Sequence, residues 1–148
     1  MKLDVVKRIL DEEDIDEAVL VTESIKNAVE LHVLANNYNW DNGFRVPEAI
    51  IRNECCDLGT ALLMFYLADG YSMLSDRENF GNSTLSDWKK FLEELLGKIT
   101  RREFLRSEIA FSVPLTKVQL FKLKKGNKNI PDILINELKG EFVEVPIL

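Results

Sequence analysis

Side chains suited to covalent chemistry are scarce in this chain. His32 is the only histidine, and Cys55 and Cys56 are the only thiols, among 148 residues. A cysteine nucleophile needs a base within hydrogen-bond reach, so His32 with Cys55 or Cys56 is the one dyad the inventory allows. Yet His32 falls on the stripe Val21, Ile25, Ala28, Val29, His32, where a packed histidine is expected, and adjacent cysteines read as small core residues. No sequence signature of a cysteine enzyme surrounds them. A disulfide between neighbours is strained and closes no useful loop, which fits a reducing cytoplasm.

Metal chemistry is the next candidate. Asn37, Asn39, Asp41 and Glu48 occupy positions 1, 3, 5 and 12 of a calcium-loop template. The template then fails, because Gly43 arrives one residue late, Pro47 interrupts and only two carboxylates remain. One histidine and two adjacent cysteines do not give zinc spacing. Gly-rich phosphate loops and a Gly-x-Ser-x-Gly elbow are absent from the sequence. No catalytic residue, metal or cofactor is therefore expected. An enzyme, the alternative, would need His32, Asp41 and Cys56 to meet in one cleft beside the Asn-rich turn.

Charge points elsewhere. The net charge is −6, and it is unevenly spread: residues 1–60 carry 6 Lys and Arg against 13 Asp and Glu, while residues 61–148 carry 13 against 12. An acidic half repels phosphate backbones and attracts basic proteins, so a protein is a better partner than nucleic acid. The run Asp11, Glu12, Glu13, Asp14, Asp16 and Glu17 concentrates that charge. A second, basic set (Lys98, Arg101, Arg102, Arg106, Lys117, Lys122, Lys124, Lys125, Lys128) follows, with Phe104 and Phe121 between its members read as core. The longest wholly apolar run, Ala61 to Ala68, is far short of the roughly 20 residues a membrane-spanning helix needs. Neither a membrane span nor a cleaved export signal is expected.

The elements that position these residues read as helices. Leu3, Val6, Ile9 and Leu10 mark a short first helix over 3–10, and the acidic run is a linker or the first turn of the next. A single helix is predicted from Asp16 to Asn36, stopping in the turn Asn36-Asn37-Tyr38-Asn39-Trp40-Asp41-Asn42-Gly43. Pro47 opens a short helix. Asp57 caps a helix running from Leu58 to a stop near Gly70, apolar all round and hence central. Residues 75–84 read as a loop. Trp88, Phe91, Leu92, Leu95, Leu96 and Ile99 then make an amphipathic helix, followed by a basic helical stretch over 100–108. Residues 117–124 fit a helix better than a strand, Pro131 opens a helix over 132–138, and Glu141 to Leu148 is extended. The expected fold is one all-α domain, 1–148, an irregular helical bundle with an extended segment near its C-terminus.

The segments Asn37-Tyr38-Asn39-Trp40-Asp41-x-Gly43-Phe44, with Pro47 after them, and Cys56-Asp57-Leu58-Gly59-Thr60-Ala61-Leu62, with Ala68-Asp69-Gly70-Tyr71, resemble a bacterial family classed as a domain of unknown function. The resemblance covers roughly residues 28–75 and does not reach 80–148. It implies a helix, an Asn-rich turn and a buried helix locked together, with Trp40 and Phe44 anchored on Phe65 and Tyr66. Members are similar to small proteins found among polymorphic toxin and immunity genes. The resemblance thus implies an immunity-type protein that binds and neutralises a cognate toxin, such as a basic nuclease, in interbacterial competition. Asp11, Glu12, Glu13, Asp14, Asp16 and Glu17, with Asn39, Trp40 and Asp41 of the turn, are the expected partner-binding residues. An adaptor or homo-oligomer using the apolar tail Glu141 to Leu148 is the remaining alternative.

Overall fold

A computed structural model describes residues 2–148. Ten α-helices follow in chain order among them: α1 Leu3–Asp11, α2 Ile15–Glu23, α3 Ala28–Asn37, α4 Arg45–Arg52, α5 Leu58–Leu67, α6 Gly70–Ser75, α7 Arg77–Gly81, α8 Ser86–Thr100, α9 Lys117–Gly126 and α10 Asp132–Ile135. A 3₁₀ turn, Trp40–Asn42, joins α3 to α4. The fold is all-α and forms one domain. Its core is built on α5, which buries Ala61, Leu62, Met64 and Phe65, and on the apolar face of α8, Phe91, Leu92, Leu95 and Ile99. α1 packs on α3, and α2 on α4, to close one side. No helix of the described residues is long and apolar enough to cross a membrane.

The expected helix over 16–36 is two helices. Asn27 accepts hydrogen bonds from the N–H groups of Val29 and Glu30 and starts α3, as an Asn three residues before a Glu can do. The end of α2 is sealed from far along the chain: the Asn53 side-chain amide donates to the carbonyls of Thr22 and Ile25 at 3.2 and 3.0 Å. Gly70 does not stop a helix but opens α6, the reversal being made at Asp69, whose φ of 62° is left-handed. Asn and Asp tolerate that region better than most residues. A Cβ at Gly70 would overlap the Phe65 ring, so the chain crosses α5 where only glycine fits. The expected loop at 75–84 contains α7, capped by Asp76.

Residues 100–108 are not helical beyond the end of α8. Arg102 turns left-handed at φ 57°, and the following chain is drawn to Asp57. That carboxylate caps α5 through Gly59 N–H at 2.8 Å, as expected, and also accepts the N–H groups of Glu108 and Ile109 at 2.7 and 3.2 Å. Arg106 Nε approaches it at 3.3 Å, an ion contact, and Leu58 N–H donates to the Arg106 carbonyl. A Cβ at Gly59 would overlap the Ile109 carbonyl, so the close approach this glycine permits is to a backbone and not to a helix.

α9 is a helix, fixed by a reciprocal capping box between Thr116 and Gln119. It buries Leu123 and leaves Phe121 exposed at 66%, against the expectation of a core residue. The inward face runs through Gln119, Leu120 and Leu123, which puts Phe121 on the solvent side of a 3.6-residue period. Phe104 is half-buried beneath Lys98, whose ammonium lies 5.3 Å from the ring centre. α10 is a single turn, shorter than expected. The extended C-terminal stretch pairs back: Phe111 and Leu138 exchange two backbone bonds, and Glu141 bonds Glu108 and Ala110.

Candidate functional site

The Asn-rich turn is a rigid ridge. Asn39 Oδ1 accepts the N–H of Asp41 at 3.0 Å, Gly43 N–H donates to the Trp40 carbonyl, and Gly43 takes φ 93°, a conformation that favours glycine. Tyr38 Oη donates to the Gly43 carbonyl at 2.8 Å and closes the turn from behind. Burial holds its phenol up at about 12. The Trp40 ring meets Tyr38, Phe44 and Phe91 edge-on, with centroids 5.6 to 5.9 Å apart. The anchor is therefore Phe91 of α8, in place of the expected Phe65 and Tyr66, because α8 and not α5 lies under the turn.

Two grooves flank this ridge. On one side Asp11, Glu12 and Glu13 face Asn37, Asn39 and Asn42 across a groove of about 570 Å³. Glu12 also accepts the Asp14 N–H at 3.1 Å, and the other three acidic-run residues are likewise committed locally. Asp14 caps α2, Asp16 pairs with Arg45 at 2.6 Å, and Glu17 pairs with Arg8 at 2.9 Å. These are exposed pairs of small energetic value, about 0–1 kcal/mol each. On the other side Trp40 and Asp41 enter a larger open groove of about 1280 Å³, shared with Asp69, Asp76, Asp87 and Trp88. The composition of neither lining includes Lys or Arg among the described residues.

The larger groove rests on defined supports. Trp88 Nε1 donates to the Ala68 carbonyl at 2.7 Å, and its ring stands edge-on to Phe80 at 5.0 Å. Asp69 and Asp76 bracket α6 and cap their helices through Ser72 and Asn79. Asp41 and Asp87 accept no hydrogen bond through their carboxylates among the described residues, so both are available to a partner. Sequence reasoning missed Asp69, Asp76, Asp87 and Trp88. Each aspartate precedes or opens a helix, a capping signal that gives no sign that the three converge.

The residues of the enzymatic alternative do not meet. His32 is buried, its Nδ1 2.9 Å from Thr60 Oγ1, and it lines a separate groove beside Phe111 and Val145. Burial lowers its pKa, and the nearby Asp57 carboxylate opposes that shift. Cys56 is buried with its thiol pushed up to about 12, chiefly by burial and also by Asp57, so it is protonated near neutral pH. Neither is in the groove that holds Asp41. The calcium-like spacing is also dispersed: Asn39 serves the turn, while Asn37 clasps the tail, donating to Pro146 O at 3.0 Å and accepting Leu148 N–H at 2.9 Å. Among the described residues no three His, Cys, Asp or Glu side chains form a metal-binding group.

Residues 26–100, just over half of the chain, match the model of a domain of unknown function, DUF4274. The chain belongs to this family. The DUF4274 match extends beyond the 28–75 expected and takes in α8. It therefore contains the ridge, its Phe91 anchor and the whole lining of the larger groove, whereas the acidic run at 11–17 lies outside it. No curated protein and no solved structure matches the chain. Residues 1–25 and 101–148 lie outside the matched segment, and the latter are held to it through Asp57.

Proposed function

We propose that this protein is an immunity-type binding protein that docks a basic partner, a cognate toxin such as a nuclease, over the Trp40–Asn42 ridge and neutralises it. The supporting observation is the larger groove: Asp41, Asp69, Asp76 and Asp87 line it together with Trp40 and Trp88, and no cationic side chain does. A lysine or arginine entering such a groove meets negative charge and an aromatic face together, and cation–π contact adds to ion pairing when water is excluded. Rigid aromatic anchors with a charged surround are the usual composition of binding hot spots. The smaller groove extends the negative field through Asp11, Glu12 and Glu13, which accelerates encounter with a basic protein.

The test is co-expression with the toxin encoded beside this chain's gene. The wild-type protein protects the cell and co-purifies with the toxin, while Asp41→Lys with Asp87→Lys abolishes both at unchanged expression. A toxin that remains fully active and unbound beside the folded wild-type protein eliminates the reading.

A further inference from the structure

The outward face of α9 has no partner within the chain. Val118 and Phe121, 62% and 66% exposed, stand one turn apart there. Lys117, Lys122, Lys124 and Lys125 surround them, all exposed. A helix of ten residues is about 15 Å long, and this one presents an apolar apex fringed by ammonium groups. Its complement exists on the same molecule, in the acidic groove floored by Trp40 and Trp88.

The two surfaces cannot meet within one chain. α6 stands between them: Ser72 and Ser75 line the groove, while the neighbouring Leu74 accepts the Asn127 side chain just past the end of α9 at 2.9 Å. We infer that α9 of one copy docks in the Trp40–Trp88 groove of a second copy, giving a head-to-tail association that covers the groove. Phe121 would pack on the indole rings while lysines face Asp41 and Asp87. Such a contact is heterologous, so it builds chains or rings and not a closed two-fold dimer. Because the groove is the one assigned above to the basic partner, self-association would compete with that partner; this consequence, unlike the association itself, rests on the partner-binding reading.

The experiment is sedimentation velocity of the full chain, at high protein concentration and low ionic strength. The mass is expected to exceed the 17.0 kDa of one chain and to return to it as salt screens the exposed charges. Phe121→Ser with Lys125→Glu, and separately Asp41→Lys with Asp87→Lys, are each expected to weaken association more than about tenfold. These positions are exposed, and circular dichroism checks that both variants keep the wild-type fold. Mixed, the two variants retain one intact α9 face and one intact groove, so they form a dimer and nothing larger. A wild-type monomer under all these conditions, association that survives the α9 variant, or a mixture that stays monomeric overturns the inference. Binding of a monomeric wild type to phosphatidylserine vesicles through α9 would also overturn it, in favour of a lipid surface. Toxin protection is read separately, so either proposal can fail without the other.

Discussion

Asp57 is fully buried and is held by three backbone N–H groups and the Arg106 guanidinium, whereas Asp41 and Asp87 stand exposed in the groove wall with no hydrogen bond to their carboxylates. All three aspartates lie in the DUF4274 segment, while Arg106, Glu108 and Ile109 come from outside it. The buried carboxylate joins the start of α5 to residues 106–109, so its charge serves folding. The exposed pair contributes little to folding, because water already solvates it, and its charge is free for the partner proposed above. Donor supply and burial, more than residue type, separate architecture from the proposed binding surface here.

The contrast can be broken most severely at the buried site. Asp57→Ala removes the carboxylate beside Arg106 Nε and leaves three N–H groups without their acceptor, and removal of one partner from a buried charged contact costs about 3–5 kcal/mol; urea unfolding followed by circular dichroism should show that loss. Gly59→Ala drives a methyl group into the Ile109 carbonyl, and the forced backbone shift should cost about 1–3 kcal/mol in the same measurement. A third variant sharpens the comparison through pH. The Cys56 thiol ionises near 9.0 when free and at about 12 in the fold. Between those values the folded chain keeps a proton that the unfolded chain has released, so stability falls as pH rises through that window. Cys56→Ala should lessen this alkaline loss, although Tyr38 and Tyr66, both raised to about 12 by burial, retain a share of it. The smallest effect belongs to the groove: Asp41→Asn with Asp87→Asn should change unfolding free energy by no more than about 0.5 kcal/mol each.

Helices with a one-sided apolar period were legible, as α1 and α8 show, and so was α5 from its continuous apolar run. Boundaries set by distant partners were not. The division of α2 from α3 depends on the Asn53 amide, and the extended path of 106–109 depends on Asp57. Asn27 three residues before Glu30 was the local signal for the first of these. Of the candidate site, the turn and its residues Asn39, Trp40 and Asp41 could be read from Asn, Gly and aromatic spacing. The groove could not, because Asp69, Asp76 and Asp87 resemble helix caps one at a time and converge only when α6, α7 and α8 fold back on the ridge. The acidic run drew attention by its density, yet Asp14, Asp16 and Glu17 are spent on a cap and two surface ion pairs.

The most direct test of the groove as the proposed partner surface is a binding titration of the toxin proposed as partner across a salt series. Wild type would be compared with Asp41→Asn/Asp87→Asn and with Asp11→Asn/Glu13→Gln. The groove variant is expected to lose affinity at every salt concentration and to show a shallower salt dependence, while the acidic-run variant mainly slows association. Wild-type affinity and wild-type salt dependence in the groove variant would contradict the account.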